Sequence, residues 1–118
     1  MFFTFRQNNS GGSFNYNEAD GITVCVLIEA SNADEANDKA EKIGVYFNGC
    51  EDGRDCECCG DRWNRAYGEG ELRPSIYGEA LTEFTTSRFG WTKSGKEIAV
   101  HFADMKIEWY DKNGKKIV

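Results

Sequence analysis

The nine residues 22-ITVCVLIEA-30 run directly into 31-SNADEANDKAEKIG-44, and that junction limits the fold more than any other feature. Ile22, Val24, Val26 and Ile28 share one face of an extended chain, and Thr23, Cys25, Leu27 and Glu29 share the other, which is partly apolar too. Such a segment predicts a central strand, buried on one face and half-buried on the other. Ser31 then predicts a helix N-cap, with Asp34 three residues on as in a capping box. Ala33, Ala36, Ala40 and Ile43 recur at 3-4-3 spacing, which gives a narrow apolar stripe over a helix at about 32–43. Asp34 and Glu35 load the first turn, Lys42 the last, and Gly44 suits a left-handed C-terminal cap. A stripe made mostly of alanine predicts a helix lying close against the sheet.

Further strands are legible on either side. Residues 2-FFTFR-6 read as a short strand, followed by a polar turn at 7-QNNSGGSF-14, and 14-FNY-16 reads as a returning hairpin arm. Residues 45-VYF-47 suggest another short strand, and 81-LTEFTTSRF-89 looks strand-like. Near the end, Ile98, Val100 and Phe102 alternate, as do Met105, Ile107 and Trp109, and Asn113-Gly114 predicts a hairpin that returns 115-KKIV-118. The expected fold is α+β: a mainly antiparallel sheet, one principal helix packed on it, and an irregular cysteine-containing loop, in one domain spanning 1–118.

That loop, 50-CEDGRDCECCGDRW-63, holds four of the five cysteines. Cys56 and Cys59 form a C-x-x-C-G turn, half of a zinc site, and Cys50 is a third thiolate at reach. His101, Cys58 or Cys25 would complete a tetrahedral set. The preferred set is Cys50, Cys56, Cys59 and His101, with Cys58 as the alternative ligand to a structural zinc. Free thiols and disulfides stand beside that reading. The sole histidine, His101, lies on a strand, which makes a cysteine–histidine nucleophilic pair a poor prospect.

Two stretches point to a bound small molecule. Asn8, Asn9, Ser10, Gly11, Gly12 and Ser13 bring amides, hydroxyls and glycine backbone that can form an anion-binding nest. An ordinary hairpin turn needs no ligand and explains the same residues. Arg62 can fork onto a phosphate and Trp63 can stack on a base. Arg54, Arg65 and Tyr67 lie nearby and would line a nucleotide-type pocket with them. Against this, Trp63 as a core residue and Arg62 paired to Asp61 or Glu57 need no ligand at all.

Charge narrows the partners. Residues 1–70 hold 13 acids and 6 bases, while the whole chain carries −6. An acidic chain is badly suited to duplex nucleic acid. The longest apolar run, 22–28, is too short to span a bilayer, and residues 1–10 lack the pattern of a secretory signal. A reducing cytoplasm is the expected compartment, with no membrane partner; a homo-oligomer is compatible with the sequence.

Together, 8-NNSGGSF-14, 31-SNADEANDKAEKIGVYF-47 and 50-CEDGRDCECCGDRW-63 resemble a group of small phage-encoded proteins of uncharacterised function, over about residues 1–67. The resemblance carries no catalytic or ligand residues. It implies an accessory phage protein in the cytoplasm of a bacterial host, of a kind that often counters host defence. The leading expectation is a non-enzymatic protein that sequesters a nucleotide-derived signal. The alternative is an inhibitor that binds and blocks a host defence protein such as a nuclease, and a small metal- or thiol-dependent enzyme is a third.

Overall fold

The computed structural model describes residues 1–8, 14–76, 79–80, 96–111 and 115–117. Four strands form one sheet: β1 (Phe2–Arg6), β2 (Cys25–Glu29), β5 (Ile98–His101) and β6 (Ile107–Tyr110), in the order β1-β2-β5-β6. β1 runs antiparallel to β2, β2 parallel to β5, and β5 antiparallel to β6. A parallel neighbour requires a crossover, and everything between β2 and β5 belongs to it. That crossover holds the helix α1 (Ala33–Ile43), the cysteine loop, and a two-stranded ribbon, β3 (Ser75–Ile76) and β4 (Glu79–Ala80). The fold is α+β with a single α-helix among the described residues, and two of the three pairings in the main sheet are antiparallel.

Strand register sorts the side chains into two cores. On one face Phe3, Phe5, Val26 and Ile28 pack with Ala36 and Ala40 of α1 and with Val45, Phe47 and Trp63. On the other, Phe2, Cys25, Leu27, Ile98 and Val100 form a second cluster against Phe14, Phe102 and Tyr110. Cys25 and Leu27 are therefore fully buried rather than half-buried. β2 is an interior strand covered on both sides, which is why its sequence is apolar on both.

The helix follows its alanine stripe, with Ala36 and Ala40 buried. Its N-cap falls one residue later than the sequence suggests. Asn32, not Ser31, accepts the Glu35 amide at 2.8 Å, and Glu35 reaches back to the Ser31 amide at 3.3 Å. The cap is displaced by one position, and the return bond goes to the amide before the cap residue and not to that of the cap itself. At the other end Gly44 adopts φ 114°, its amide bonding to Glu41, while the Val45 amide bonds to Ala40. This closure turns the chain off the helix. Residues 45–47 consequently form no strand, although Val45 and Phe47 are buried.

Two other expectations shift. The hairpin arm at 14–16 gives way to a 3-10 turn at Glu18–Asp20, closed by an isolated Asn17–Ile22 bridge. Met105 stands outside β6, 88% exposed, at φ 74°. The strand-like segment 81–89 and the Asn113-Gly114 turn lie outside the described residues; the return beyond that turn is recorded by a bridge between Tyr110 and Lys116. Among the described residues no helix is long and apolar enough to cross a membrane.

Candidate functional site

The cysteine loop is anchored by a carboxylate. Asp55, its side chain fully buried, accepts the Tyr46 hydroxyl at 2.6 Å and the Arg62 amide at 2.8 Å. The Arg62 Nε lies 3.7 Å from the same carboxylate and 3.3 Å from the Tyr46 oxygen. Arg62 Nη1 donates to Gln7 Oε1 at 2.9 Å, and the Gln7 amide in turn donates to the carbonyls of Asn15 and Thr23. A buried charge pair is tolerable only with its remaining donors satisfied, and this network does that. Burial, together with the bond to Asp55, raises the Tyr46 pKa. Gly49 makes the turn possible: a Cβ there would lie 1.8 Å from Asp55 Oδ2.

The residues singled out by the sequence divide between this arrangement and other places. Asn8 donates to the carbonyl of Cys59 at 2.7 Å and to that of Asp61 at 3.3 Å, tying the end of β1 to the loop. Asn9, Ser10, Gly11, Gly12 and Ser13 lie outside the described residues. Trp63 is 1% exposed within the core, so its ring presents no stacking surface. Arg62 is turned inward, to Asp55 rather than to Asp61 or Glu57, because burial of its guanidinium requires a buried anion. Asp61 instead accepts the Cys50 amide at 2.9 Å.

The cysteines do not assemble with His101. The His101 imidazole bonds the Gly21 carbonyl at 2.8 Å and lines a cavity of about 410 Å³ with Ile28, Lys39, Lys42 and Met105, with none of the thiols. Its pKa is lowered by burial, with the Gly21 bond opposing. The Cys50 thiol donates to the Cys56 carbonyl at 3.4 Å, and burial and the bond to Asp61 raise its pKa to about 11. Burial pushes the Cys25 thiol up to about 12. The Cys56 thiol is shifted the other way, by hydrogen bonds from the Cys59 thiol and from the amides of Cys59 and Cys58. Among the described residues no group of three or more His, Cys, Asp or Glu is gathered to hold a metal ion. His101 is therefore not gathered with Cys50, Cys56 and Cys59, and all five cysteines are free thiols.

What the network does create is a cleft. The chain beyond Arg62 runs antiparallel to the edge of β1, pinned at both ends. Asn8 donates to the Arg62 carbonyl at 2.8 Å, and Phe2 and Glu71 exchange bonds of 2.7 and 2.9 Å. Gly70, at φ 73°, permits the return: a Cβ there would stand 2.9 Å from the Phe3 ring. Between the pins the segment arches away from β1. The cavity beneath it is about 520 Å³, lined by Thr4 and Arg6 on the strand and by Asn64, Arg65, Tyr67 and Glu69 on the arch, among others. The Arg65 guanidinium sits 4.8 Å from the centroid of the Phe47 ring, and Tyr67 is 90% exposed. Two guanidinium groups and an exposed phenol are donors and a stacking face for a phosphorylated or carboxylated planar molecule. Arg65 and Tyr67 were visible in the sequence as pocket residues. Arg6 was not, because an arginine closing a strand looks like any solvated edge residue.

A family model, described as Domain of unknown function (DUF7296), matches residues 1–118. No curated protein and no solved structure matches the chain.

Proposed function

We propose, from the premise that the chain belongs to this family of unknown function over its whole length, that it is a non-enzymatic protein that binds and sequesters a nucleotide-derived small molecule. The observation that carries the reading is the cleft between β1 and the 62–71 arch, with Arg6, Arg65, Asn64 and exposed Tyr67 on its walls. Arg6 and Arg65 are placed to meet phosphate. Tyr67 offers a face for a base, and Glu69 and Glu71 can accept bonds from hydroxyl or amino groups. The cleft is flanked by the buried Asp55–Arg62–Gln7 network, which suits a rigid receptor whose ligand leaves unchanged. The resemblance to small phage-encoded proteins supplies the setting: an anti-defence factor in the cytoplasm of a bacterial host.

Thermal shift and calorimetry with cyclic oligonucleotides and ADP-ribose derivatives test this. The expected result is saturable binding, ligand recovered intact after denaturation, and a loss of about tenfold or more in affinity in Arg65→Ala, the scale of one charged hydrogen bond. Absence of any shift across the panel overturns it.

A second reading has its own observation. Glu51, Asp52 and Glu57 are exposed on the cysteine loop, a charged surface suited to a basic host protein such as a nuclease. It predicts a complex recovered from host lysate that weakens with salt and with charge reversal at these positions. A complex indifferent to both would remove it.

A further inference from the structure

The four loop cysteines serve neither the cleft nor the Asp55 network through their sulfurs, and the thiols of Cys58 and Cys59 both reach that of Cys56. The amides of Cys59 and Gly60 both donate to the Cys56 carbonyl at 3.1 Å, so 56–60 is a tight turn. Such a turn brings its first and fourth residues to within about 7 Å between Cα atoms, a span that a disulfide can close. The Cys59 thiol, the amides of Cys59 and Cys58, and the Cys58 thiol donate to the Cys56 sulfur. Cys58 and Cys59 are exposed and Cys56 partly so. The thiols outside the turn are otherwise occupied: Cys50 is bonded to the Cys56 carbonyl, and Cys25 is buried between strands.

We propose that Cys56 and Cys59 form a thiol–disulfide exchange site that reacts with low-molecular-weight disulfides of the glutathione class. Cys56, the first residue of the turn, whose sulfur accepts from the turn's amides and from the Cys58 and Cys59 thiols, is the nucleophile. As the thiolate it attacks one sulfur of R–S–S–R, forming a Cys56 mixed disulfide and releasing one RS⁻. Cys59, losing its proton, then attacks the Cys56 sulfur, closes the intramolecular disulfide and releases the second RS⁻. The two protons lost by the protein thiols are taken up by the two departing thiolates. The protein dithiol is oxidised by two electrons and the small disulfide is reduced by two. Cys58, whose thiol also reaches the Cys56 sulfur, is not the fourth residue of the turn, and is the competing partner that the peptide map distinguishes.

The test uses the full chain, reduced and then exposed to oxidised glutathione, quenched by alkylation and peptide-mapped. The expected product is one disulfide, Cys56–Cys59, reversed by excess reduced glutathione. In Cys59→Ser the mixed disulfide should accumulate on Cys56, and Cys56→Ser should yield neither product. Because a serine variant can perturb the loop, the wild-type chain supplies a second measurement: with limiting iodoacetamide, Cys56 should be consumed about tenfold faster than Cys58. Thiols that stay reduced, a disulfide through Cys58 or Cys50, or equal alkylation of Cys56 and Cys58 would each overturn the proposal. None of these outcomes depends on whether the cleft binds a nucleotide.

Discussion

Asp55 lies in a run of polar loop residues, 51-EDGRDCE-57, where a carboxylate normally stays in water. Its burial is caused by what surrounds it: a phenol, a guanidinium and a backbone amide converge on its two oxygens. Removing one partner from such a pair leaves the other charge uncompensated. Asp55→Asn should therefore destabilise the fold by about 3–5 kcal/mol, measured by urea denaturation at constant slope. A loss below about 1 kcal/mol would show that the network is dispensable. Nothing in the local sequence distinguishes Asp55 from Asp52 or Asp61. The distinction arises from residues outside that run, Tyr46 and the Gln7-bonded Arg62, and so was not legible. Trp63 and Arg62 were legible as important, but their role turned on burial, which local sequence does not specify.

His101 gives a pH dependence of definite sign. Burial lowers its folded pKa below the ordinary 6.5. Above about pH 6.5 it is neutral in both states and imposes no penalty. As pH falls below that value the unfolded chain takes up the proton first, so stability drops, and the drop levels off below the folded pKa. The charged groups around its cavity, Lys39, Lys42, Asp20 and Glu29, face the same space. Denaturation midpoints from pH 7.5 to 5 should fall in the wild type and flatten in His101→Gln. Parallel profiles would contradict this assignment.

At the scale of elements, the periodic segments were read well because their periods are a local property. β1 has the bounds expected from 2-FFTFR-6, and the alanine stripe of α1 is the buried face. One-residue errors arose where two residues satisfy the same rule. Ser31 and Asn32 are both good caps, each with an acid three residues on, and the longer Glu35 side chain makes the reciprocal bond to the Ser31 amide. Asn32→Ala should cost about 0.5–2 kcal/mol, and Ser31→Ala much less. Chemical denaturation of the two variants decides the matter, and the reverse order would place the cap at Ser31. Residues 45–47 were misread because strand propensity ignores the helix closure that consumes the Val45 amide.

At the scale of the molecule, the cleft exists because the 62–71 segment is tied to β1 by backbone bonds at its two ends, through Asn8 and Phe2. No single motif encodes that. Arg65 and Tyr67 come from one stretch, Arg6 and Thr4 from another roughly sixty residues away, and the antiparallel course of the 62–71 segment brings them together. The sequence suggested the kind of chemistry from its arginines and aromatics. It centred that chemistry on Arg62 and Trp63, with Arg65 and Tyr67 beside them, whereas the described cavity offers it from Arg6, Arg65 and Tyr67. Binding without turnover remains the central proposal, and the direct measurement is mass spectrometry of small molecules released by heat from protein purified out of infected cells. The account predicts an intact, phosphate-bearing nucleotide derivative, present with the wild-type chain and depleted with an Arg6→Ala/Arg65→Ala double variant of equal thermal stability. Release of no such molecule, or equal release from both proteins, would contradict it.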